Sequence, residues 1–288
     1  MTGRAVRVRG AGPLVTVQDA GRPGLAHLGV PRSGWLDAEA ARLANRLVGN
    51  PEEAAVLEVL LGGLEVEVTA AMAVAVTGAP VEVRVDGRAV PHGAAVAVAA
   101  GARVRLGTPR EGLRSWVALA GGVAVDPVLG SRATDTLSGT GPPPVTQGTV
   151  LPVGPAVDRP STAEAVPSAA GPVVLAVTPG PRADWFTAAA WETLAGSSYT
   201  VEPDSDRIAL RLSGPPLERV VTGELPSEGI VLGAVQVPPD GQPVVFLADH
   251  PTTGGYPVVA VVDRTSVTRC AQVRPGEALR FRPRAGPA

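Results

Sequence analysis

Three Gly-rich segments hold most of the polar residues whose types and spacing could do chemistry. The first, residues 16–37 (TVQDAGRPGLAHLGVPRSGWLD), sets Gln18, Asp19, Arg22, His27, Arg32, Ser33 and Asp37 between strand-like runs and a helix start. Asp19 has the chemistry of a carboxylate base, His27 that of an acid or base near neutral pH, and Arg22 that of an anion clamp. The plain structural alternative is an Asp19–Arg22 pair across a turn, with His27 as a partly buried loop side chain. The second segment, residues 130–141 (GSRATDTLSGTG), packs Ser131, Arg132, Thr134, Asp135 and Ser138 together. Anion binding by Arg132 stands there beside an Arg132–Asp135 turn in which the hydroxyls cap backbone groups.

The third region joins residues 203–214 (PDSDRIALRLSG) and 233–257 (GAVQVPPDGQPVVFLADHPTTGGYP). A strand over 244–248 delivers Asp249 and His250 to its end. Thr252 and Thr253 precede Gly254 and Gly255, which let a backbone approach a ligand closely, and Tyr256 can stack or donate a hydrogen bond. The alternative is a wide turn in which Asp249 accepts from the threonine hydroxyls and Tyr256 is half-buried. The adjacent charges Asp206 and Arg207 are expected to satisfy different neighbours. Across the chain, the candidates for proton transfer are Asp19, His27 and Asp249. Those for holding a substrate or phosphate are Gln18, Arg22, Arg132, Arg207, Gln236, Thr252, Thr253 and Tyr256.

Composition limits what these residues can be part of. All 25 basic residues are Arg. That excludes a Schiff-base lysine, a Walker A lysine and a biotinyl-lysine, and leaves arginine and backbone N–H groups to hold anions. A single cysteine, Cys270, excludes an internal disulfide, and His27, His92 and His250 are too widely spaced for a zinc motif, so no metal is expected. The formal net charge of −2 gives no reason to expect nucleic acid or an anionic membrane as partner. No apolar run reaches the 18 or so residues of a membrane span and no signal peptide is evident, so a cytoplasmic protein is expected.

The elements that must position these residues read as short strands. Val81-Glu82-Val83-Arg84-Val85 alternates and runs into Asp86-Gly87, a hairpin signal because both turn residues tolerate positive φ. Further strands are expected at 64–68, 95–99, 103–106, 115–120, 173–177, 208–212, 230–237, 244–248, 257–262, 268–273 and 278–282. Two helices are expected, one capped by Asp37 and stopped by Gly49-Asn50, the other over about 184–195 with Asp184 as cap. Residues 155–170, rich in Pro, Ala and Ser, read as a linker. The domains then span 1–156 and 171–288, with 157–170 between them.

The run TVQDAGRPGLAHLGVPRSGWLD…ANRLVGNPEEAAVLEVLLGG resembles the opening of the allophanate hydrolase subunit 2 family. That family is also known as biotin-dependent carboxyltransferase, as Kip antagonist and as the 5-oxoprolinase C component. GSRATD, Ser205-Asp206-Arg207 and QVPPDGQPVVFLADHPTTGGYPVVAVV resemble its later motifs in the same order, so the likeness covers nearly the whole chain. Ala209 and Thr149 depart from the pattern. The resemblance implies a mainly β molecule of two cyclophilin-like β-barrel domains with a few short helices. It also implies a partner of the allophanate hydrolase subunit 1 (Kip inhibitor-like) type and a third 5-oxoprolinase subunit. The implied activity is ATP-dependent hydrolysis of 5-oxoproline to L-glutamate, with ATP bound somewhere in the complex and no biotin attached to this chain. Two other roles stay open: the carboxyltransferase component of a biotin-dependent urea-type carboxylase, and a regulatory antagonist of a kinase-inhibitor partner.

Overall fold

The computed structural model describes residues 3–156 and 171–284, so the segment expected as a linker, 157–170, lies outside the described residues. Two compact units are present: residues 3–22 and 33–156 form the first, residues 23–32 and 171–284 the second. The excursion of 23–32 into the second unit is carried by no composition change in the sequence.

The first unit runs β1 (Ala5–Ala11), β2 (Leu14–Gln18), α1 (Ala38–Leu47), β3 (Val56–Leu60), β4 (Leu64–Val68), β5 (Met72–Gly78), β6 (Val83–Val85), β7 (Arg88–Val90), β8 (Val96–Val98), β9 (Arg103–Leu106), β10 (Arg114–Leu119) and β11 (Val150–Pro152). The strands form a six-stranded sheet, β11-β1-β4-β9-β6-β7, and a five-stranded sheet, β2-β3-β10-β5-β8. Period-two patterning decides which faces are buried. Val6 and Val8 of β1 and Leu64, Val66 and Val68 of β4 are buried, while Arg9 reaches across to Glu67 on the outer face. Asp86 and Gly87 take φ of 46° and 79° between β6 and β7, as the Asp-Gly hairpin signal requires. Asp37 caps α1 by accepting from the Ala40 amide at 3.0 Å, and the helix buries Ala41, Leu43, Ala44 and Leu47.

The second unit runs β12 (Val173–Pro179), α2 (Ala188–Gly196), β13 (Ser198–Val201), β14 (Ala209–Ser213), β15 (Glu228–Gly229), β16 (Ala234–Gln236), β17 (Val244–Phe246), β18 (Thr253–Gly254), β19 (Val258–Val262), α3 (Arg264–Val267) and β20 (Ala278–Pro283). Seven strands close into a barrel in the order β12-β19-β16-β17-β14-β13-β20, and a parallel pairing of β12 with β20 completes the ring. Closure removes the sheet edges that would otherwise expose unpaired N–H and C=O groups. Leu175, Val201, Leu212, Val235, Val245 and Phe281 are buried, and Tyr199 meets Phe281 edge-on with ring centroids 5.7 Å apart. Burial raises the Tyr199 phenol to about 12, and its hydroxyl donates to the Pro215 carbonyl.

The molecule is thus mainly β, as expected, with the first unit's strands shared between two sheets and the second unit's in a closed barrel. Two local expectations are corrected. Thr187, not Asp184, caps α2 by accepting from the Ala190 amide at 3.0 Å; Asp184 lies in a separate 3-10 turn, Ala183–Trp185. Residues 268–273 are not a strand, because Thr268–Ala271 continues α3 as a 3-10 turn that buries both Cys270 and Ala271. Adjacent residues buried together suit a helical turn, whereas a strand sends them to opposite faces.

Candidate functional site

In the first unit, β2 ends at Gln18 and the chain turns through Asp19 and Gly21 to Arg22, against Ser33-Gly34 and residues 128–135. Gly34 is needed here: at φ 92°, a Cβ on it would fall 2.8 Å from both the Asp19 carbonyl and the Gly21 nitrogen. Ser33 also adopts positive φ (53°), rare outside glycine, and its hydroxyl donates to the Thr134 carbonyl at 3.0 Å.

Asp19 and Arg22 do not pair. The Asp19 carboxylate accepts from the Gly21 amide at 2.9 Å, the Ser131 hydroxyl at 2.5 Å and the Arg132 amide at 2.6 Å. It therefore staples the GSRATD loop to the end of β2. Arg22 is 2% exposed, and its Nε and Nη2 donate to the carbonyls of Val128 and Ala133. Its Nη1 is buried and has no partner among the described residues. Gln18 is fully buried; its Nε2 donates to the Thr16 hydroxyl and the Thr134 carbonyl, whereas its Oε1 and the Thr134 hydroxyl find no partner among the described residues. Arg132 and Asp135 do not form the alternative turn pair. The Arg132 Nε donates to the Val125 carbonyl, and Asp135 accepts from the Leu137 and Ser138 amides and the Ser138 hydroxyl.

In the second unit, Asp249 and Arg207 meet each other. The guanidinium donates through Nε at 2.9 Å and Nη2 at 3.1 Å to the two carboxylate oxygens, with side-chain exposures of 1% and 0%. Their backbones are already joined, the Asp249 amide donating to the Arg207 carbonyl just beyond the ends of β14 and β17. Asp206 turns the other way and accepts from the Ile208 and Ala209 amides. His250 packs edge-on against Phe246. His27 is exposed on a 3-10 turn, Ala26–Leu28.

A cleft of about 740 Å³ opens in this unit, a size suited to a small ligand, and of the candidate residues only Tyr256 lines it. Residues 216–219, 222–225, 239–241 and 255–257 line it. Tyr256 is half-exposed on its wall, and the buried Gln236 holds the Tyr256 carbonyl at 2.8 Å from behind. Gly254 lies so close to Gln236 that a Cβ there would come 2.8 Å from Nε2. Thr252 is half-buried and Thr253 exposed at the β15–β18 ribbon; neither lines the cleft. Sequence reasoning missed Arg219, which does line it. Burial pulls its guanidinium below the ordinary value, with Tyr256 and Asp240 acting in the opposite sense. The Arg219 Nη2 donates to the Val237 carbonyl, and its Nε has no partner among the described residues. Among the described residues no three His, Cys, Asp or Glu side chains converge as a metal site, and no helix is long and apolar enough to cross a membrane.

Comparison with known proteins places these features in a family. The family model described as carboxyltransferase domain, subdomain A and B, matches residues 28–283. The chain is 38% identical to the 5-oxoprolinase C component of Escherichia coli (strain K12) over 94% of its own length and 88% of that protein's. Among solved structures, TTHA0988 is 35% identical with a TM-score of 0.89; the match covers 98% of this chain and 56% of that one. The K. lactis urea amidolyase is 27% identical with a TM-score of 0.92, and the chain covers 19% of it.

Proposed function

We propose that this chain, which belongs to the carboxyltransferase domain, subdomain A and B, family, is the C component of an ATP-dependent 5-oxoprolinase complex that opens 5-oxoproline to L-glutamate. The observation that carries this reading is the match in extent: the likeness to the bacterial C component spans nearly all of both chains. A lactam carbonyl is a poor electrophile. Phosphorylation of its oxygen by ATP lets water add at the carbon; the C–N bond then breaks as the ring nitrogen takes a proton, leaving an acyl phosphate, and a second water hydrolyses that anhydride to the carboxylate and phosphate. The reaction therefore needs groups that hold anions and a group that moves protons.

In this reading the anion-holding groups of this chain are Arg22 and Arg132 in the first unit, with Gln18 beside them. Arg219 and Tyr256 furnish the cleft of the second unit, Gln236 holds the Tyr256 carbonyl, and Thr252 and Thr253 precede the Gly254-Gly255 turn outside the cleft. Asp19 and Asp249 act as positioning residues, since three donors engage Asp19 and Arg207 neutralises Asp249. Proton transfer falls to the exposed His27, which no carboxylate or guanidinium among the described residues ties down. The partners are a Kip inhibitor-like subunit and a third 5-oxoprolinase subunit, working in the cytoplasm where ATP is available. ATP binding is not assigned to residues of this chain, which offers no Lys-bearing phosphate loop.

The test is coexpression with the neighbouring subunits and measurement of glutamate formed from 5-oxoproline and ATP. Absence of glutamate with all three subunits folded and assembled overturns the reading. The K. lactis urea amidolyase likeness favours a second reading, a carboxyltransferase acting with a separate biotin carrier. That reading predicts carboxylation of urea once a carboxylase and carrier are supplied.

A further inference from the structure

The cleft of the second unit sets three carboxylates against one guanidinium: Glu218, Glu224 and Asp240 line it together with Arg219. None of the four forms an ion pair among the described residues. Carboxylates elsewhere on this surface do, Glu67 with Arg9, Glu82 with Arg84 and Glu228 with Arg182. Arg219 is turned onto the Val237 carbonyl, and Asp240 accepts from the Gln242 amide. The negative charge of the cleft is therefore not cancelled within the chain, and a concave wall focuses such a field. A cation is drawn into the cleft, whereas an anion entering alone is repelled.

Size and lining narrow the occupant. At about 740 Å³ the cleft is far larger than a molecule of amino-acid size fills. One stretch of its wall is fixed by the backbone: the Leu217 amide donates to the Gly241 carbonyl, the Thr187 amide to that of Glu218 and the Val220 amide to that of Trp185. Residues 222–225 of the same loop make no backbone hydrogen bond among the described residues. This stretch lies against the Gly254-Gly255 turn, with the Leu225 carbonyl oxygen 3.5 Å from the Cβ position of Gly255. Unmatched N–H and C=O groups beside apolar side chains suit an extended chain, whose main chain pairs with the former while its side chains meet the latter. Leu225 and the half-exposed Tyr256 ring supply the apolar surface, and Val220 and Val221, exposed between lining residues, extend it past the cleft.

We propose that this cleft docks an extended basic segment of a partner protein, in which Arg or Lys side chains flank an apolar residue. The cations reach Glu218, Glu224 and Asp240, the apolar residue packs on Leu225 and Tyr256, and the main chain pairs with residues 222–225. That the partner is the Kip inhibitor-like subunit rests on the functional reading above. The docked segment then supplies the positive charge that the cleft lacks for an anionic substrate.

Surface plasmon resonance tests the proposal, with the full chain immobilised and the Kip inhibitor-like subunit in solution, without ATP or 5-oxoproline. Glu218→Gln with Glu224→Gln should weaken binding at least about tenfold and flatten its dependence on NaCl between about 50 and 500 mM, since rim charges set the association rate and its salt dependence. Leu225→Arg, which places a cation of the chain's own in the cleft, should weaken binding further. Glu53→Gln with Glu111→Gln removes the same charge from exposed positions of the first unit and should leave the affinity unchanged. The proposal is overturned by no binding to the parent chain, by unchanged affinity in the folded Glu218→Gln, Glu224→Gln or Leu225→Arg chains, or by an equal loss in the first-unit control. Self-association of the chain that these variants abolish makes the occupant a second copy, and likewise overturns it. The outcome is separable from that of the activity assay. Docking that depends on Glu218 and Glu224 without glutamate formation upholds the site and removes the reaction. Glutamate formation by the Glu218→Gln, Glu224→Gln chain at an unchanged half-saturating concentration of the partner upholds the reaction and removes the site.

Discussion

Arg207 and Asp249, 42 residues apart, hold each other through two hydrogen bonds in the interior of the barrel unit. Truncating one partner of such a pair leaves a buried charge without its counterpart, which costs about 3–5 kcal/mol, whereas replacing both by apolar groups of similar size costs far less. Asp249→Asn should therefore lower the urea midpoint strongly, and Arg207→Met with Asp249→Leu should recover a large part of the loss. An Asp249→Asn protein as stable as the parent contradicts this account. The sequence singled out both residues as agents of chemistry, because charged side chains in Gly-rich surroundings invite that reading. That they neutralise each other depends on β14 and β17 ending side by side, which no local pattern announces. Arg219 escaped notice for the converse reason. It sits in an unpatterned loop, and only the folded chain turns it into the cleft.

At the scale of elements, period-two patterning and turn chemistry gave reliable guidance. The Asp86-Gly87 hairpin and the Asp37 cap both form where the sequence places them. Turn glycines differ in what they do, and the difference is measurable. Gly24 (φ 86°) has nothing within 4 Å of a Cβ position, while Gly34 (φ 92°) is hemmed in by the backbone of residues 19–21. Gly24→Ala should cost only the left-handed backbone penalty, about 1–2 kcal/mol. Gly34→Ala adds a backbone clash and should lower the thermal midpoint by clearly more, with loss of the Asp19 staple. Equal effects of the two substitutions would show that close approach is not what Gly34 provides. The misplaced elements fail for physical reasons. Thr187 displaces Asp184 as a cap because both are good caps and the path of the chain into α2 selects between them. Residues 268–273 carry apolar side chains too few and too closely spaced to distinguish period 2 from a helical turn.

For the whole molecule, charge is nearly balanced at −2 with no lysine, so its response to mild acid rests on histidine more than on overall repulsion. Burial lowers the pKa of His92 below 6.5, while hydrogen bonds with the Ala79 and Thr77 backbones pull it upward. Below pH 6.5 the unfolded chain takes up a proton that the folded chain resists. The His92 contribution is therefore complete above that pH and is lost as the pH falls toward the lower folded value. Urea unfolding from pH 8 to pH 5 should show this decline, and His92→Gln should flatten it; an unchanged slope in the variant removes His92 as its cause. By itself the sequence determined the mainly β architecture, the turns, the exclusion of lysine chemistry and the family resemblance, because alternation, turn residues and missing residue types are local properties. Only the tertiary structure decided which charges cancel and which stay unmet. Asp19 is spent on Ser131 and Arg132, Asp249 on Arg207, while Arg22 and Gln18 keep atoms that meet no partner among the described residues. Hydrogen bonds here join residues more than a hundred positions apart in the chain and the buried ion pair joins residues 42 apart, and distance in space, not in sequence, sets the strength of both.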